Sequence, residues 1–158
     1  ICIMQNTLKH TLSAIVIIFF VILAIASATG KNLTISKESG QIPPNFEPLK
    51  DTLLVITNTI PGIGVGKTFR SAFKDYKAPH LLIKGKELEQ YDTDKYKFEL
   101  YLSHNPSNFT DEKGRPGPGT ISCIMEERQT GKKYKSQGVP DFGRLLKNYV
   151  KTINKMTE

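Results

Sequence analysis

Cysteine is nearly absent from this chain, and that bounds the fold more tightly than any motif does. The sequence has two cysteines, Cys2 and Cys123. Cys2 sits in Ile1-Cys2-Ile3, ahead of the first methionine, Met4, so a frame starting at Met4 keeps Cys123 alone. One thiol cannot close a bridge within a subunit, which excludes cysteine-rich toxin, Kunitz-type and growth-factor scaffolds. Stability must come from a packed core.

The segment after Met4 points to the compartment. Lys9 and His10 precede an unbroken apolar run from Ala14 to Ala26, and Ala26-Ser27-Ala28 supplies a small-residue cleavage site. This is the three-part layout of a secretory signal peptide, with an apolar run shorter than a bilayer span. The expectation is a signal peptide over 1–28, removed after Ala28, and a secreted, extracellular protein. The alternative is an uncleaved anchor in which Thr11–Ser13 and Ser27–Thr29 extend the run.

Two asparagines lie in the acceptor pattern for N-glycosylation, Asn32-Leu33-Thr34 and Asn108-Phe109-Thr110, while Asn105-Pro106-Ser107 is excluded by its proline. Glycans are expected at Asn32 and Asn108 if the source is eukaryotic.

The whole chain carries 22 Lys+Arg against 15 Asp+Glu, a net charge of +7. Residues 1–28 contain one charged side chain, Lys9, so the exported portion, about 130 residues, stays strongly basic and large enough for one core. Such a charge draws a protein to sulfated glycans, acidic lipid, nucleic acid or acidic proteins. Export favours the extracellular members of that set.

Residues 29–48, with three prolines and no periodicity, read as a flexible polar arm, and residues 49–158 as a single globular domain. Leu49, Leu53, Ile56 and Ile60 recur at helical spacing, as do Phe69, Phe73 and Tyr76, which predicts two N-terminal helices. The inner run Leu53-Leu54-Val55-Ile56 would also suit a buried strand. Strands are expected over 80–83, 96–102, 120–129 and 132–136, the last two joined by a two-residue hairpin at Thr130-Gly131. A polar, turn-rich surface loop fills 103–118.

After Pro140, Asp141 can cap a helix with Phe142, Leu145, Leu146, Tyr149, Val150, Ile153 and Met156 on one side, and Arg144, Lys147, Lys151 and Lys155 off it. The predicted class is therefore α+β: a small antiparallel sheet with two N-terminal helices and a C-terminal amphipathic helix packed on one face.

The stretch Gly62-Ile63-Gly64-Val65-Gly66-Lys67-Thr68 has the look of a phosphate-binding loop. A Walker loop needs glycine, four residues, then Gly-Lys-Ser/Thr, and the glycine position counted back from Gly66 holds Pro61. The expectation is a glycine-rich corner over Pro61–Gly66 and no nucleotide.

No metal-ligand spacing involves His80 or His104, and no nucleophile elbow is present. No cofactor or metal and no enzymatic activity are expected; a small hydrolase using His80 and His104 as acid and base, or either histidine with Cys123, is the alternative. Cys123 alternates with Ile121 and Met125 on one strand face, which suits a buried thiol. A disulfide through Cys123 to a second copy is the other reading, so the expected state is a monomer or a Cys123-linked dimer.

Gly131-Lys132-Lys133-Tyr134-Lys135-Ser136 resembles the short heparin-binding pattern X-B-B-X-B-X, in which B is basic. In a two-residue hairpin, position 128 faces 133 and 126 faces 135, which gathers Arg128, Lys133 and Lys135 on one face. Arg128, Lys132, Lys133 and Lys135 are thus the expected polyanion site, against the plainer role of edge-strand lysines that keep a hairpin soluble. The functional expectation is a secreted, non-enzymatic binding protein or effector engaging a sulfated glycan or acidic protein. A membrane-active role for the basic C-terminal helix is the competing one.

Overall fold

The computed structural model describes residues 34–60, 65–115, 117 and 119–158, which belong to one compact unit. The expected signal peptide, Cys2, Asn32 and positions 61–64 of the glycine-rich corner lie outside the described residues.

The architecture is α+β. Five strands, β1 (Leu53–Ile56), β2 (His80–Ile83), β3 (Phe98–Asn105), β4 (Thr120–Glu127) and β5 (Lys132–Lys135), form one sheet in the order β2-β1-β3-β4-β5. The sheet is mixed rather than antiparallel: β1 runs parallel to both β2 and β3, while β3–β4 and β4–β5 are antiparallel. Helix α1 (Val65–Phe73) is the crossover between β1 and β2, as a parallel pair requires. Helix α2 (Phe142–Lys155) closes the chain.

Only one of the two expected N-terminal helices forms. Leu53–Ile56 is the central strand, with all four side chains buried. A strand covered on both faces carries a continuous apolar run instead of an alternation. The helical spacing is misleading because Leu49, its first member, is 64 % exposed and is not among the buried core residues.

The stretch expected to be a flexible arm also contributes to the core. Ile35, Ile42 and Phe46 are buried, the Phe46 ring meets Phe98 edge-on at 5.2 Å, and the Tyr149 hydroxyl donates to the Gln41 carbonyl at 3.1 Å. Burial of side chains of this size stabilises by about 1.5–3 kcal/mol each, enough to order a proline-rich segment.

One sheet face presents Leu53, Val55, Phe98, Leu100, Leu102, Cys123 and Met125 to α1 and α2. Helix α2 forms as the sequence predicts, with Asp141 Oδ1 accepting the Arg144 N–H at 3.1 Å and Leu145, Leu146, Tyr149, Val150 and Ile153 buried.

The other sheet face is covered over only part of its width. Leu54, Ile56 and Ile83 pack beneath Leu88, Tyr91 and Tyr96 of a strap that begins with a 3-10 helix, Gly85–Gln90. Arg128 fastens the strap: its guanidinium donates to the carbonyls of Tyr91 at 2.9 Å, Tyr96 at 3.0 Å, Leu88 at 3.3 Å and Asp92 at 3.4 Å.

Candidate functional site

The pairing expected in the hairpin is replaced by another register. The β4–β5 loop has four residues, Arg128–Gly131, so Glu126 pairs with Lys133 and Glu127 with Lys132. The loop closes through the Gly131 N–H, which donates to the Glu127 carbonyl at 2.8 Å. The Arg128 side chain inside it is 9 % exposed and committed to the strap and to Glu99, at 3.6 Å. Gly131 closes the longer loop at a φ of +68°, a left-handed conformation that glycine adopts without strain.

The cations of the hairpin are consequently occupied or dispersed. Lys133 ion-pairs with Glu126 at 3.5 Å, and Lys135 Nζ donates to Asn105 Oδ1 at 2.8 Å. Lys132 points to the opposite face, its ammonium 5.2 Å from the Tyr134 ring centre. Arg128 and Lys133 do not face each other, and an opposite-charge pair, Glu126 and Lys133, takes the place of the expected like-charge one.

This shift exposes a cluster that sequence reasoning missed. Glu99 on β3 lies directly opposite Glu126 on β4. Burial first, and then the Glu126 charge, raise the Glu99 pKa, while Arg128 and Lys133 oppose them. The Tyr101 hydroxyl donates to Glu126 Oε2 at 2.8 Å; burial and that hydrogen bond push its pKa up to about 12. No sequence signal places the two glutamates together, because the loop between β3 and β4 is too long to fix their register. With Arg128 and Lys133 beside them the carboxylates are balanced, an arrangement that secures the strap.

The remaining expected residues separate. His80 begins β2 and is level with Leu53, hence with Phe98 of β3, whereas His104 lies six residues further along β3, about 20 Å at the rise of a strand. The two cannot act on one group as acid and base. The Cys123 side chain is buried, and burial pushes its thiol pKa well up, so neither a thiolate dyad nor a disulfide to another copy can form without opening the fold. Asn108 is exposed in its loop beside Phe109, which is 70 % exposed. Among the described residues no group of three or more His, Cys, Asp or Glu could hold a metal ion, and no helix is long and apolar enough to cross a membrane.

Unengaged positive charge collects instead on the helical layer. The two helices run in the same direction: a Cβ at Gly143 would lie 3.5 Å from Thr68, and further along, Asn154 donates to the Asp75 carbonyl at 2.7 Å and accepts the Lys77 N–H at 2.9 Å. Between them runs a groove. Its first compartment, about 590 Å³, is lined by Lys67, Thr68, Ser71, Asp141, Gly143, Arg144 and Lys147. A second, of about 570 Å³, shares Ser71 and Lys147 and continues past Lys151, Asn154 and Lys155.

Neither helix contains a carboxylate. Among the described residues Lys67, Arg70, Arg144, Lys147, Lys151 and Lys155 form no ion pair, the pairs involving Lys50, Lys77, Arg115, Arg128 and Lys133. Among the described residues the single carboxylate of the first compartment, Asp141, is engaged in capping α2.

No protein-family model matches the sequence, and no curated protein matches it. Among solved structures, the chain is similar to PelC from Paraburkholderia phytofirmans, solved as a dodecamer, at 11% identity and a TM-score of 0.40 over 72% of this chain and 90% of that one. A point variant of the same PelC gives 11% identity and a TM-score of 0.39 over 73% and 93%. A likeness at this level carries no argument about function.

Proposed function

We propose that this protein is a secreted, non-enzymatic binding protein for an acidic extracellular partner, and that it engages the partner through its helical layer and not through the β4–β5 hairpin. The observation that carries the reading is the contrast in charge occupancy: Lys133, Lys135 and Arg128 are engaged within the fold, whereas Arg144, Lys147, Lys151 and Lys155 line one exposed side of α2 with no carboxylate in either helix. Exposed cations with no internal partner attract polyanions over a Debye length and gain from counterion release on contact. The apolar side of α2 is buried in the core, which leaves the helix no apolar face to lay on a membrane.

The test compares the salt needed to elute the protein from immobilised heparin and from a plain sulfonate resin. Elution from heparin at distinctly higher salt, lost when Arg144, Lys147, Lys151 and Lys155 are changed to glutamine, supports the reading. Equal elution from the two resins would make the charge a matter of solubility alone.

A further inference from the structure

We propose that the groove between α1 and α2 takes a linear sulfated glycan lengthwise, with a sulfate group seated at the Lys67–Arg144–Lys147 end. The proposal rests on the acidic-partner reading above and adds a ligand class, a path and a direction.

The path follows from continuity. The two compartments share Ser71 and Lys147, so they adjoin, and a chain lying beside Thr68 and Gly143 can extend toward Lys151 and Lys155. Arg144 and Lys155 mark out about 16 Å of helix along it. Packed helices lie about 8–10 Å apart, so the groove admits a single polymer chain and not a duplex.

The ligand class follows from the lining. Lys67, Thr68, Ser71, Arg144 and Lys147 offer ammonium, guanidinium and hydroxyl groups, and among the described residues no aromatic ring lines either compartment. Single-stranded nucleic acid is held largely by stacking on aromatic side chains, and a protein partner by apolar and aromatic anchors in desolvated pockets. A sulfated sugar needs neither. It presents sulfate oxygens to cations and ring hydroxyls to Ser and Thr, which this groove supplies.

The direction follows from the gradient of charge. At the first end Lys67, Arg144 and Lys147 meet one carboxylate, Asp141, whose Oδ1 already accepts the Arg144 N–H. At the second end Lys77, Lys151 and Lys155 share the groove with Asp75 and Glu158, and Glu158 ion-pairs with Lys77 at 3.2 Å. The Arg144 guanidinium can take two sulfate oxygens at once, which a lysine cannot. The densest sulfation of the glycan therefore belongs at the first end.

The experiment titrates a heparin-derived octasaccharide into the protein and three variants, following affinity across a series of salt concentrations. Changing Lys67, Arg144 and Lys147 together to glutamine should weaken binding by about tenfold or more and lower the salt slope by about two. Changing Lys151 and Lys155 should weaken it by only about threefold, and changing Lys132, Lys133 and Lys135 should leave it nearly unaltered. All these positions are exposed, so unchanged helix circular dichroism should accompany each variant; if the triple variant lost that signal, Lys67→Gln alone would carry the comparison.

Equal losses from the two ends would overturn the direction, and loss confined to the hairpin variant would overturn the groove. An inorganic polyphosphate chain binding as tightly as the octasaccharide would overturn the glycan assignment and leave the acidic-partner reading standing. Failure of the unaltered protein to bind any polyanion would overturn both.

Discussion

Two lysine-rich regions of this protein look alike in sequence and differ in what their charges do. In the β4–β5 hairpin, Lys133 faces Glu126 and Arg128 is spent on strap carbonyls and Glu99. Along α1 and α2, comparable cations meet no carboxylate within ion-pair reach among the described residues. The difference teaches that a basic motif reports charge in the chain, whereas availability to a ligand is fixed by the residues that register and packing bring opposite.

The largest effect that could break the comparison concerns Arg128. If its role is internal, Arg128→Ala should cost about 3 kcal/mol or more in urea unfolding, because it strands the buried Glu99 carboxylate and four strap carbonyls together. Arg144→Ala, an exposed cation with no internal side-chain partner, should stay within about 0.5 kcal/mol of the parent. Similar values for the two would erase the distinction.

Asp141 sharpens the contrast because it serves both stability and charge balance. Asp141→Ala should lower stability by about 1 kcal/mol through loss of the α2 cap, yet tighten polyanion binding by removing the carboxylate nearest Arg144. A variant that weakens both properties would detach the groove from the ligand.

Glu99 gives a pH signature to the hairpin side. Its folded pKa is raised, so the folded state holds that proton more tightly than the unfolded chain does. The associated stability is present below the ordinary carboxylate value and lost as pH rises through the raised one. Unfolding free energies at about pH 5 and about pH 8 should therefore differ less in Glu99→Gln than in the parent. An unchanged difference would remove Glu99 from the pH dependence.

The smallest effect belongs to Lys133. Its pair with Glu126 is largely solvent-exposed on the lysine side, and Lys133→Gln should change stability by less than about 1 kcal/mol.

These contrasts also mark what the sequence could tell. Helix α2 was legible because its cap, its apolar stripe and the preceding proline agree, and β2 because its run is short and bounded by Pro79. Strand β1 was not, since a strand buried on both faces carries no alternation and its flanks happened to mimic a helical period. The sheet could not be ordered from local pattern, because its parallel pairs join segments that are distant in the chain. The hairpin register differed because the loop is longer by two, 128–131 in place of 130–131, and encloses Arg128, whose tertiary contacts no local pattern announces. Likewise, Arg144, Lys147, Lys151 and Lys155 were each visible as basic positions off the apolar side of a helix. The meeting of Arg144 and Lys147 with Lys67, some eighty positions earlier in the chain, required the parallel packing of two helices, which no spacing encodes.

The sealed thiol of Cys123 has a practical consequence. Among the described residues it is the only sulfhydryl, and in the folded molecule it lies at 0% exposure between Ser122 and Ile124 in the second-last strand of the sheet. A thiol-reactive dye can then label Cys123 only during the moments when the interior is laid open. Labelling rates in plain buffer would report the frequency of those excursions directly, without denaturant and without an engineered tag.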